Sequence, residues 1–148
     1  MKFVNQTISL QSEQGPHFVD LTDTVEDMLR KSGVQEGYLV LFARHTTTAL
    51  VLQNGEPGLL RDFKRQVEKL APPTEKYAHD DYSIRTENLG DPDDVNGFAH
   101  CQALLLKCSL QLPVTGGKME LGEKQRIFFL ELDKARSREV KAQFVDLS

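Results

Sequence analysis

The stretch Arg44-His45-Thr46-Thr47-Thr48-Ala49-Leu50-Val51-Leu52 sets a histidine and three threonines directly before an apolar run, and Tyr38 to Ala43 makes a second apolar run just ahead of it. Short apolar runs bounded by polar breaks read as buried strands. Hydroxyls and an imidazole caught between buried strands need hydrogen-bond partners or a ligand, because burying them unpaired is costly. The local reading is strand, polar turn, strand. It makes the fold β-rich and the turn the first candidate for a site.

Toward the N-terminus, Phe3 to Leu10 alternates polar and apolar residues, the period of a strand with one apolar face. Gly15-Pro16 breaks that pattern, and Phe18 to Leu21 reads as a second short strand. Thr22-Asp23-Thr24 offers capping residues ahead of Val25, Met28 and Leu29, which predicts a helix over Asp23 to Ser32 stopped by Gly33. Beyond the His-Thr turn, Ala49 to Gln53 completes a strand and Asn54-Gly55-Glu56-Pro57-Gly58 is dense turn sequence. Leu59, Leu60, Phe63, Val67 and Leu70 recur at helical spacing, so a second amphipathic helix is predicted over Pro57 to Leu70, ended by Pro72-Pro73.

Thr74 to Asn96 is polar and aperiodic, with Asp80-Asp81 and Asp91-Pro92-Asp93-Asp94 inside it. Irregular segments of this length in compact domains often carry a site. The aspartates lack the alternation, glycine and closing glutamate of an EF-hand loop. Ala99 to Leu106 reads as a short helix, and the apolar residues between Cys101 and Cys108 suggest core cysteines. Strands follow at Ser109 to Val114, Met119 to Leu121, Gln125 to Leu132 and Val140 to Val145, with a Gly116-Gly117 hairpin turn. No segment repeats and no linker divides residues 1–148, so one domain is expected. The class is α+β: a mainly antiparallel sheet or sandwich of about eight strands with two or three packed helices.

Lysine and arginine number 18 against 22 aspartates and glutamates, a net charge of −4. That balance argues against a general nucleic-acid or membrane-surface binder, whose footprint is basic. No apolar run approaches the ~20 residues of a membrane span. Met1 to Gln6 lacks the apolar core of a signal peptide, so a cytoplasmic location is expected.

Of the four histidines, His17 sits at a turn, while His45, His79 and His100 occupy unusual settings in three separate segments. A neutral imidazole can offer one nitrogen to a metal while the other donates to a carboxylate or carbonyl. Three such rings would make an open three-histidine site if the fold brought them together. Thr46 to Thr48 add hydroxyls suited to phosphate oxygens, and Asp80 stands beside His79. Walker, Rossmann and nucleophile-elbow motifs are missing, so nucleotide binding and serine hydrolysis have no support.

Together, His45-Thr46-Thr47-Thr48-Ala49-Leu50, Tyr77-Ala78-His79-Asp80 and Asn96-Gly97-Phe98-Ala99-His100 resemble, in that order, the YjbQ family. Ser109 to Val114, Gly117 to Gly122, Gln125-Arg126-Ile127 and Glu131-Leu132-Asp133 continue the likeness over nearly the whole chain. The resemblance implies a small antiparallel α+β fold, a homotrimer, and a site near the histidines that can hold a metal or anion; the expected ligands are a divalent metal (zinc or magnesium) and a phosphate-bearing small molecule. It also implies a weak secondary activity, the joining of a pyrimidine pyrophosphate to a thiazole phosphate. On that basis His45, His79 and His100 are the expected metal ligands, and His45, Thr46, Thr47, Asp80, Asn96 and Arg136 the expected catalytic set.

The chain departs from the family where Gln53-Asn54 replaces Asn-Glu, Phe98 replaces a second histidine, Lys124 a tryptophan and Lys134-Ala135 a Gly-Pro. An amide cannot take up a proton as a glutamate can. The competing expectation is therefore a metal- or ligand-binding homo-oligomer that has lost the family's acid-base chemistry.

Overall fold

A computed structural model describes all residues, Met1–Ser148. The chain forms β1 (Lys2–Gln11), β2 (His17–Asp20), α1 (Thr22–Ser32), β3 (Gly37–Ala43), β4 (Thr48–Gln53), α2 (Pro57–Leu70), α3 (Gly97–Leu104), β5 (Ser109–Thr115), β6 (Lys118–Met119), β7 (Arg126–Glu131) and β8 (Ser137–Asp146). Every strand pairing is antiparallel. One sheet of five strands runs β1-β8-β3-β5-β6, and a second of three runs β2-β7-β4. The expected α+β class and eight strands are what the chain adopts.

The two sheets stack because their apolar faces have nowhere else to go. Ile8, Leu39, Leu41, Leu110, Leu112 and Phe144 on the large sheet share one core with Leu50, Ile127 and Phe129 of the small sheet. Val25 and Leu29 of α1 close that core. The other face of the small sheet, carrying Ala49 and Leu130, packs on Val67 of α2 and Ala99 of α3. β7 is thus covered on both faces, which is why Ile127-Phe128-Phe129-Leu130 is continuously apolar rather than alternating.

Local signals mostly act as their chemistry dictates. Gly33 ends α1 at φ 76°, and Gly116 and Gly117 turn the β5–β6 hairpin at φ 55° and 73°. Glu56 caps α2, its carboxylate accepting from the Gly58 and Leu59 N–H groups at 2.6 and 2.7 Å.

The helix expected from about Asp23 to Ser32 is α1, whose start is held by Asp20 accepting from the Thr22 N–H at 2.9 Å and the Thr22 hydroxyl accepting from the Ile127 N–H at 2.8 Å. Two expectations need correction. β8 begins at Ser137, not Val140, because Arg138 faces inward to a buried partner and so continues the strand despite its charge. Cys101 and Cys108 are exposed rather than core. α3 turns Ala99 and Gln102 inward, which leaves Cys101, Leu104 and Leu105 facing out.

Candidate functional site

The polar segment after α2 is tied down at its neck. The Tyr77 hydroxyl donates to the Pro72 carbonyl at 2.9 Å, and a single 3-10 turn covers Ala78–Asp80. Asp80 Oδ1 accepts from the Asn96 and Gly97 N–H groups, both at 3.0 Å. A carboxylate here complements the positive end of α3. Gly97 has no substitute at this point, since a Cβ would stand 2.5 Å from Tyr77 Cβ and 2.9 Å from Asp80 Oδ2. Asp80 is consumed by this cap and does not face the imidazoles.

Closing the neck brings His79 and His100 together. Their ring centroids are 4.5 Å apart, with the rings inclined at 63°. They line a cavity of about 390 Å³ with Thr46, Tyr82, Arg85, Asp94 and Asn96. Burial pushes the His100 imidazole below the ordinary value of 6.5, and neighbouring His79 adds to that; the Asp133 carboxylate and the Thr46 carbonyl pull the other way without reversing it. The ring is therefore neutral at pH 7 and able to receive a proton.

Arg85 is a staple within the loop. Its guanidinium donates to the carbonyls of His79 and Glu87 at 3.1 Å and to that of Asn88, and lies 5.3 Å from the centre of the Tyr82 ring. Two further cations beside the cavity come from the β7–β8 connection. Arg136 Nη2 donates to Asp133 Oδ2 at 2.8 Å and to Asp94 Oδ2 at 2.9 Å, and Lys134 Nζ lies 3.0 Å from Asp94 Oδ1. Asn96 Nδ2 donates to the same Asp133 oxygen at 2.9 Å. Burial works to raise the Asp94 carboxyl, but the bonds from Lys134 and Arg136 outweigh it and hold that group below the usual carboxylate range.

His45 does not join the pair. It lines a separate cavity with Ser9, Gln11, Ser137, Arg138 and Glu139. Its Nε2 lies 3.1 Å from both the backbone N and the carbonyl O of Glu139, so in either tautomer that nitrogen is engaged by β8. Thr47 is also elsewhere: buried, its hydroxyl accepts from Arg138 Nη2 at 2.9 Å. Of the expected set, Thr46, His79, Asn96 and His100 share the cavity, and Arg136 stands directly behind it.

The donor set decides what a metal would find. No group of three or more histidine, cysteine, aspartate or glutamate side chains is arranged so that it could hold a metal ion. Two imidazoles face one another and the third is apart, so a three-histidine metal centre does not fit one chain. The Gln53-Asn54 departure is remote as well. Asn54 follows the far end of β4 from Thr48, about 20 Å along the strand at roughly 3.3 Å per residue. There its side chain accepts from the Glu56 N–H at 3.1 Å.

Sequence reasoning gave no role to Glu131, Asp133, Arg138, Lys134 or Asp94. The legible signal was charge embedded in a β-rich run. Glu131 follows four apolar residues of β7, and a carboxylate there must meet a cation.

A small two-sheet α+β protein with a histidine-lined cavity under a polar loop is the class these features define. The family described as UPF0047 protein YjbQ-like matches residues 6–146, and the chain belongs to the YjbQ family. A UPF0047 protein of Archaeoglobus fulgidus is 38% identical over 133 residues, covering 90% of this chain and 94% of that protein. One from Methanothermobacter thermautotrophicus is 33% identical, covering 95% and 91%. The crystal structure of a YbjQ-like protein of unknown function from Sulfolobus solfataricus superposes with a TM-score of 0.86 at 30% identity, covering 98% of each chain.

Proposed function

We propose that this chain binds a phosphate-bearing small molecule at the His79–His100 cavity. The observation that carries this reading is the meeting of two imidazoles from separate elements, 4.5 Å between centroids, with Lys134 and Arg136 just behind the wall. A phosphate entering there brings the negative charge that lets His100 take up a proton. Arginine and hydroxyl donors suit its oxygens. The test is calorimetric titration with inorganic pyrophosphate. Binding should tighten as pH falls below 6.5, the ordinary imidazole value, and weaken at least about tenfold in His100→Ala, the loss of one charge-assisted contact. Pyrophosphate giving no heat at any pH would refute the site.

The finer reading is transfer, in which a thiazole nitrogen forms a C–N bond to the pyrimidine methylene as its C–O bond breaks and pyrophosphate leaves. The feature favouring it is His100, held neutral and able, once protonated, to offset charge on the departing pyrophosphate. Thiamine phosphate formed by the wild type and lost in His100→Ala supports transfer. Pyrophosphate binding without product supports a binding protein.

The homotrimer belongs to the same reading. Leu70, Leu104 and Leu105 are more than half exposed beside an apolar groove of about 660 Å³ between α2 and the α3–β5 connection. Subunit contacts commonly cover such patches. Light scattering reads the mass, and a monomer at all concentrations would remove this part.

A further inference from the structure

We propose that Asp94 is an internal competitor for the ligand's phosphate: its carboxylate, gripped by Lys134 and Arg136, latches the 81–95 loop over the His79–His100 cavity and gives way when the ligand enters. The proposal rests on the phosphate reading of that cavity.

The arrangement is specific. Asp94 lines the cavity, whereas Lys134 and Arg136 do not, so the carboxylate stands between the two cations and the space in front of them. Each of its oxygens meets one cation, Oδ1 with Lys134 at 3.0 Å and Oδ2 with Arg136 at 2.9 Å. Two oxygens set against two cations is also how a phosphate would dock there. Arg136 would not collapse on release, because Asp133 Oδ2 holds both its Nη2 at 2.8 Å and its Nε at 3.2 Å. The Asp133 side chain is only 5% exposed, which makes it the fixed anchor, whereas Asp94 at 24% and Lys134 at 49% form a wetter pair. Ion pairs as open as this are weak and exchange readily.

The loop has little else to hold it down. Ile84, Leu89 and Val95 are all more than half exposed, so no aliphatic anchor fixes residues 81–95 to the core. Tyr82 bonds within the loop itself, to Gly90 and Asp91, and Arg85 bonds to Glu87 and Asn88 within it and to the His79 carbonyl at its neck. The Asp80 clamp lies at the neck, on Asn96 and Gly97. The segment is therefore a stapled unit, hinged at its neck and fastened at Asp94. Segments with few buried apolar contacts open first.

Pyrophosphate titration at fixed ionic strength tests this on the wild type and Asp94→Asn, with hydrogen exchange followed over residues 81–95. A latch closed about nine-tenths of the time lowers apparent affinity about tenfold, so Asp94→Asn should bind about tenfold tighter. In the wild type, pyrophosphate should speed exchange of the loop amides. Lys134→Ala, without ligand, should speed it too. Wild-type binding that is unchanged or weakened in Asp94→Asn overturns the latch and leaves the site standing. Loop exchange unaltered in Lys134→Ala also overturns the latch. Failure of both wild type and Asp94→Asn to bind overturns site and latch together.

Discussion

Arg138 and Glu131 form a fully enclosed ion pair, with Nε donating to Oε2 and Nη2 to Oε1, both at 2.7 Å, and side chains 8% and 0% exposed. Thr47 accepts from the same guanidinium, and the Ser12 hydroxyl donates to Glu131 Oε2 at 2.6 Å. The pair ties β7 to β8 and β1 directly beneath the His-Thr turn. Removing one member strands a buried charge, so Glu131→Leu or Arg138→Met should each cost about 3–5 kcal/mol. The double variant should cost less than either single. Urea unfolding of the three variants checks it, and simple additivity would contradict it.

The imidazoles make stability depend on pH. Burial, with Arg138 nearby, pushes His45 below 6.5, and burial with His79 does the same to His100. As pH falls below 6.5 the unfolded chain takes up protons that these folded rings resist, so stability is full above that value and declines beneath it. Melting temperatures of His45→Asn and His100→Asn should each show a shallower decline there than the wild type. The depressed carboxylates Asp20 and Asp94 act only at lower pH, below the usual 3.8.

Gly97→Ala should open the neck of the loop. Its Cβ would meet Tyr77 and Asp80 inside van der Waals distance. Overpacking of that kind costs about 1–3 kcal/mol. Faster hydrogen exchange at the Asn96 and Gly97 amides should accompany the loss, because the Asp80 cap is displaced.

Asn54→Glu should leave pyrophosphate affinity within about twofold, given its separation of roughly 20 Å from Thr48 along β4. A tenfold change in calorimetry would bring the end of β4 into the site.

The strands, the two longer helices and the glycine turns were legible because periodicity and turn chemistry are local properties. The His-Thr stretch was legible as polar residues needing partners, but not which partners. His45 turns to the Glu139 backbone and Thr47 to Arg138, and neither contact is encoded near them in sequence. The meeting of His79 with His100 depends on Asp80 closing a neck onto residues 16 and 17 positions away. β8 was read short and the cysteines were read as buried for the same reason. Charge and apolarity were judged locally, while Arg138 and Cys101 are placed by distant elements.

The most direct test of the His79–His100 site is the ring resonances of the four histidines during titration with inorganic pyrophosphate. His79 and His100 should shift together and saturate at one ligand concentration, with His17 and His45 unmoved. Movement of His45 alone, or stationary rings at saturating pyrophosphate, would contradict the account.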